Sequence, residues 1–147
     1  MKAQNEMTLI FESRSSNESF ARSAVAAFVA QLDPTIGELS DIRTAVSEAV
    51  TNCVVHAYRD TIGKVTVNVK LTDDSMVTVK IKDSGCGIEN IPQAMEPLFT
   101  TSPSEDRAGL GFAVMHSFAD SVSVRSSVGK GTTVTLKKKL SRRVKNG

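Results

Sequence analysis

Glu48, Asn52 and His56 recur at intervals of four in a stretch of helical periodicity. At 100° per residue they share one strip, roughly 110° from the centre of the apolar stripe formed by Leu39, Ile42, Val46, Ala49, Val50, Cys53 and Ala57. That strip borders a core, where a cleft can open. Asn52 offers a neutral oxygen of the kind Mg²⁺ accepts beside phosphate and water. Glu48, one turn earlier, is placed to act as a general base on a water or a hydroxyl. Taken alone, the same three residues more readily describe a polar helix flank joined by i, i+4 hydrogen bonds.

Two glycine clusters follow. Asp83-Ser84-Gly85-Cys86-Gly87 comes directly after a strand pattern. Its glycines let backbone turn sharply and approach a flat ligand, and an ionised aspartate accepts from an exocyclic amine such as adenine N6. A dinucleotide fingerprint fits badly, because Asn90 stands where its third glycine belongs and no long helix follows. Gly109-Leu110-Gly111 leads into a helix after Thr100 to Ala108. Amides at a helix start seat phosphate, and Arg107 adds a cation beside them. No Gly-Lys-Ser/Thr follows either cluster, which excludes a P-loop. Each cluster alone is also an ordinary turn or helix start. Their order, closed by Gly131-Thr132-Thr133, describes one nucleotide pocket.

The elements that must position these residues are legible from periodicity. Thr8 to Glu12 predicts a first strand. Asn17 reads as a helix cap before Phe20, Ala24, Val25, Phe28, Val29 and Leu32 at helical spacing. Asp33-Pro34 stops that helix, and a longer one runs from about Ile36 to Tyr58. The period then becomes two: Val65, Val67, Val69 and Leu71, then Val77, Val79 and Ile81, with Asp73-Asp74 as the turn of an antiparallel hairpin. A short helical candidate near Ile91 to Met95, a helix over Leu110 to Phe118, and strands at Val122–Val124 and Thr132–Leu140 complete the chain. The order β-α-α-β-β-loop-α-β-β predicts an α+β fold: a two-layer α/β sandwich whose mixed, mostly antiparallel sheet carries helices on one face.

Composition limits the function classes. The 147 residues suit one domain, and 40% hydrophobic with 23% charged residues is an ordinary globular balance. The longest apolar run, Ala24 to Ala30, falls far short of the roughly 20 residues of a membrane span, and Glu6 interrupts any secretory leader. Cys53 and Cys86 form no metal-ligand spacing, and a reducing cytoplasm suits them. The formal charge of +2 conceals an asymmetry. Residues 1–136 hold 12 bases and 16 acids, a balance of −4, whereas 137–147 hold six bases and no acid. The expected organisation is a single domain over 1–140 with a basic tail over 141–147. Without Trp and with one Tyr, the chain lacks a stacking platform for single-stranded nucleic acid.

The motifs Glu48-Ala-Val-Thr-Asn52, Asp83-Ser-Gly85-Cys-Gly87, Gly109-Leu-Gly111 and Gly131-Thr132-Thr133 resemble the ATP-binding domain shared by DNA gyrase, its related heat-shock chaperone, histidine kinases and mismatch-repair ATPases. Asn17-Glu-Ser-Phe-Ala-Arg22, Ala30-Gln-Leu-Asp-Pro34, Pro97-Leu-Phe-Thr-Thr101 and the strand ending Lys139-Leu140 extend the likeness over the whole chain, to the anti-sigma F factors of sporulation. Those are small serine kinases of spore-forming bacteria that hold a sigma factor inactive.

The resemblance implies a histidine-kinase-like ATP-binding fold and a role for each matching residue. Asn52 would ligate Mg²⁺, and Glu48 would activate the serine hydroxyl of an anti-anti-sigma protein, which is both substrate and antagonist. Asp83 would read the adenine amine, with Gly85, Gly87 and Thr132 shaping that end and His56 lining the pocket. Thr100, Thr101, Arg107, Gly109, Leu110 and Gly111 would form the lid over the phosphates, with Arg107 near the γ-phosphate. Glu18 and Arg22 would face protein partners, and a homodimer is implied. No direct contact with nucleic acid or membrane is expected. A nucleotide-gated sigma-sequestering module without phosphotransfer, or a stand-alone ATPase domain, would use the same pocket. The need for a base at Glu48 separates them from a kinase.

Overall fold

The computed structural model describes residues 3–58, 61–87 and 108–141. The first strand, β1 (Ala3–Glu12), is longer than the Thr8 to Glu12 expected. Its first half lacks an alternating pattern and is recruited by pairing with β2 (Lys64–Thr72), from Glu12 opposite Lys64 to Ala3 opposite Thr72. Strand β3 (Met76–Asp83) completes the hairpin through a turn in which the Ser75 amide donates to the Thr72 carbonyl at 3.1 Å.

Helix α1 (Ser15–Val29) starts earlier than Asn17. Arg14 takes the extended cap position with no side-chain cap bond. Asn17 lies inside the first turn, where its amide donates to the Glu12 carbonyl at 2.9 Å and ties the helix to the end of β1. The buried face is Ala21, Val25, Ala26 and Val29. Small side chains face inward where α1 packs against the next helix, while Phe20 stays 53% exposed, edge-on to Phe11 with centroids 6.5 Å apart. A 3-10 turn over Ala30–Leu32 and a left-handed Asp33 (φ 52°) end this segment before Pro34.

Helix α2 (Ile36–Asn52) opens on a capping box. The Glu38 amide donates to Thr35 Oγ1 at 3.0 Å, and the Thr35 amide donates to Glu38 Oε1 at 2.8 Å. It runs on into a π-helical turn, Cys53–Ala57. Helix α3 (Ala108–Phe118) buries Phe112 and Met115 and packs on α2. Strands β4 (Ser121–Ser127) and β5 (Gly131–Lys139) form the second hairpin.

The sheet order is β1-β2-β3-β5-β4, and every pairing among the described residues is antiparallel. The last strand therefore enters between β3 and β4, which sets Asp83 opposite Thr132. Val65, Val67, Val69, Leu71, Val77, Val79, Ile81, Val134 and Leu136 point from the sheet into one core shared with the three helices, each worth about 1.5–3 kcal/mol when fully buried. This is the two-layer α+β arrangement expected from the element order, with a sheet that is antiparallel at every described pairing rather than mixed, because both hairpins and the β3–β5 junction run antiparallel. Among the described residues no helix is long and apolar enough to cross a membrane.

Candidate functional site

The site grows from the junction of α2 with the ends of β3 and β5. At the end of α2 the ladder widens to i→i+5 bonding, and the Tyr58 amide reaches the Cys53 carbonyl at 3.3 Å. This wider turn breaks the 100° phase on which the alignment of His56 with Glu48 and Asn52 rests. Glu48 and Asn52 remain one regular turn apart on α2. Glu48 is only 8% exposed, an unusual place for a carboxylate. The Nδ2 of Asn52 is buried and has no hydrogen-bond partner.

The carbonyls of the π-helical turn organise the glycine loop. Cys86 donates its amide to the Ala57 carbonyl at 3.0 Å, and Gly129 donates to the Cys86 carbonyl at 2.8 Å, so the loop is clamped between α2 and the β4–β5 turn. A Cβ on Gly85 would stand 2.3 Å from the Ala57 oxygen. Gly87 has φ +79°, and a Cβ there would stand 2.3 Å from the Ser127 oxygen. Both glycines are thus required by close approach of protein backbone, a demand the ligand-based reading of the sequence did not contain. Tyr58 adds a further tie: its hydroxyl donates to the Lys64 carbonyl at 2.8 Å and accepts from the Ser84 amide at 2.6 Å.

Asp83, last residue of β3, is 5% exposed. Its Oδ1 accepts from the amides of Gly85 at 2.9 Å and Thr132 at 3.2 Å, and its Oδ2 accepts from the Cys53 thiol at 3.5 Å. Burial pushes the Asp83 carboxyl above its ordinary range, against the opposing pull of the Gly85, Cys53 and Thr132 bonds. Burial first, and then the charge of Asp83, push the Cys53 thiol well up, so it remains a protonated donor. Thr132 is itself buried and shares a 2.8 Å hydrogen bond with Ser126.

Asp83, Gly85 and Thr132 therefore meet at the ends of β3 and β5, and Cys53, which directly follows Asn52 in the chain, ties them to the helix that carries Glu48 one turn earlier. Gly109, Leu110 and Gly111 lie in the first turn of α3, whose leading amides have no partner within the helix. Thr100, Thr101 and Arg107 lie outside the described residues. Glu18 accepts from the Ser47 hydroxyl of α2 and stands 3.9 Å from Arg22, so part of that pair's bonding is spent between helices. Cys53 and Tyr58 were not singled out as site residues by the sequence, because no spacing rule links 53 to 83 or 58 to 84. The general tendency of a buried Tyr hydroxyl to find a partner was the available signal for Tyr58.

Residues 11–138 match the family model described as the histidine kinase-like ATPase domain. An anti-sigma F factor of Caldanaerobacter subterraneus subsp. tengcongensis is 54% identical over 142 residues, covering 97% of this chain and 99% of its own. One from Geobacillus thermodenitrificans is 54% identical over 140 residues, with 95% of each chain covered. Among solved structures, the RsbU and RsbW domains of Rv1364c from Mycobacterium tuberculosis superpose with a TM-score of 0.70 at 20% identity, over 95% of this chain and 34% of that one. The histidine kinase domain of the blue-light activated histidine kinase from Erythrobacter litoralis gives a TM-score of 0.55 at 20% identity, over 84% and 61%. At that identity the two structures speak to the fold alone.

Proposed function

The chain belongs to the anti-sigma F factor family, within the histidine kinase-like ATPase domains, and on that premise we propose that it is an ATP- and Mg²⁺-dependent protein serine kinase that also holds a sigma factor inactive. Its phosphoryl acceptor is a serine of an anti-anti-sigma protein. The same proposal has it act in the cytoplasm as a homodimer.

The observation that carries this reading is the buried amide of Asn52, whose Nδ2 lacks any partner one turn after the buried Glu48. An unmet buried polar group costs about 1–3 kcal/mol, and a half-turn of the amide exchanges its nitrogen and oxygen. Asn52 thus fits a cation ligand. When bound, Mg²⁺ supplies charge that neutralises phosphate oxygens. The remaining work belongs to side chains and amides of the chain. Asp83 accepts from the adenine amine, beside Gly85, Gly87 and Thr132. The leading amides of α3, around Gly109, Leu110 and Gly111, face phosphate. Arg107, Thr100 and Thr101 complete the lid, and Glu48 takes the proton of the acceptor hydroxyl. Phosphorylation adds about −1.5 to −2 of charge to the antagonist and weakens its hold on the kinase.

Incubation with labelled ATP and a candidate anti-anti-sigma protein tests the reading. Label should appear on a serine, and Glu48→Gln should keep nucleotide binding while phosphotransfer falls by about 10²–10⁴. A Glu48→Gln variant as fast as wild type would sink the base assignment. Sigma retention without any serine label would make the protein a sequestering module, and phosphate release without an acceptor would make it an ATPase.

A further inference from the structure

Asp83 is held at both oxygens, and the two holds differ in origin. The two amides on Oδ1 come from the sheet and its loop. The thiol on Oδ2 comes from the helical layer, since Cys53 opens the π-helical turn directly after Asn52. A carboxylate offers about four lone-pair sites. With two donors on Oδ1 and one on Oδ2, the second oxygen is the one with capacity left for the N–H of a ligand.

We propose that Cys53 is a positioning residue for purine recognition, its thiol fixing the rotation of the Asp83 carboxyl so that Oδ2 is presented to the exocyclic amine of adenine. This rests on the reading of Asp83 as the acceptor of that amine. The terminal torsion of an aspartate is broad, and amides on one oxygen alone leave the other free to swing. The S–H bond closes that freedom. A thiol is also a weak donor, so it orients Oδ2 without satisfying it, whereas an amide or ammonium there would compete with the ligand. A small buried thiol is otherwise an ordinary core filler, and that role predicts a different outcome.

The test is the affinity of the full chain for ATP relative to inosine triphosphate, which carries an oxygen where adenine has the amine. In Cys53→Ala the preference for ATP should fall about three- to tenfold, as for one lost hydrogen bond. Cys53→Ser, which restores a donor, should recover most of it. Should Cys53→Ala prove too unstable to purify, Cys53→Val, which fills the site without a donor, must show the same fall. A core filler would weaken both nucleotides alike; an unchanged preference in the donor-less variant therefore overturns the inference. Asp83→Asn is measured alongside. If it leaves the preference intact, Asp83 does not read the amine and the role of Cys53 falls with it. If Asp83→Asn abolishes the preference and Cys53→Ala does not, only the role of Cys53 is lost.

Discussion

Asp83 is subject to two demands that depend on its proton in opposite ways. In the free protein its burial raises the carboxyl above the ordinary value of 3.8. Ionised, it therefore costs folding stability at neutral pH, a cost relieved as pH falls through the raised value. Acceptance from an adenine amine needs the ionised form. ATP binding should thus weaken on acidification at a higher pH than an ordinary aspartate would give, over the same window in which the Asp83 contribution to stability improves. Nucleotide titrations at stepped pH check this, with Asp83→Asn expected to lose the acid limb; a limb that persists in that variant assigns it to another group. The identity of Asp83, Glu48 and Asn52 as candidates was readable from residue type and spacing. Of the three donors around Asp83 only Gly85 is near in the chain; Cys53 and Thr132 were not readable, because they lie 30 and 49 positions away.

At the scale of elements, α2 is defined by what happens at its two ends. Its start is fixed by the Thr35 and Glu38 capping box, and Glu38 Oε2 also accepts from the Ser141 amide at 2.7 Å and its hydroxyl at 3.1 Å. One carboxylate thereby joins the head of a helix to the chain leaving β5. Thr35→Ala should cost about 1 kcal/mol in denaturant unfolding. Slight burial raises the Glu38 carboxyl, but the Thr35 and Ser141 bonds outweigh it and hold the group below 4.5. Its contribution is then present above that value and lost as pH falls through the lowered one. The stability gap between wild type and Glu38→Ala should shrink below about pH 4.5; a gap constant down to pH 2.5 would contradict the assignment. The span of α2 was legible because a long 3.6-residue stripe has few alternative explanations. The start of α1 was not. Asparagine favours caps, yet the Asn17 amide finds its partner at the end of β1, a contact no local propensity encodes.

For the whole molecule, the net charge of +2 resolves into a spatial pattern. Lys64, Lys70, Lys80, Lys82, Arg125, Lys137 and Lys139 alternate with the buried or half-buried positions of four strands and so share the sheet face away from the helices. Glu6 and Glu12 on the edge strand stand opposite Lys70 and Lys64. Much of the basic count is therefore sheet surface rather than tail. Leu140 is buried, its amide donating to the Ser75 carbonyl at 2.9 Å, and Ser141 is tied to Glu38. Deleting 142–147 is expected to leave nucleotide affinity within about twofold and the unfolding midpoint unchanged, since Leu140 and Ser141 already anchor the end of the chain that leaves β5 and none of the pocket motifs lies beyond them. A larger loss of affinity would assign those six residues to the pocket.

The sequence by itself determined the elements and the chemistry each could bear, because hydrophobic period, turn residues and side-chain type are properties of neighbours along the chain. Hence the hairpin over Val65 to Ile81, the helix carrying Glu48 and Asn52, and the glycine loop after Asp83 were all readable in advance. Only the tertiary structure decided that β5 enters beside β3, which sets the Thr132 amide on Asp83. It alone decided that α2 widens into a π-helical turn whose Ala57 carbonyl excludes any side chain at Gly85, and that Cys53 meets Oδ2. These are distances between segments far apart in the chain. Packing of the whole core sets them, and no local pattern records the outcome.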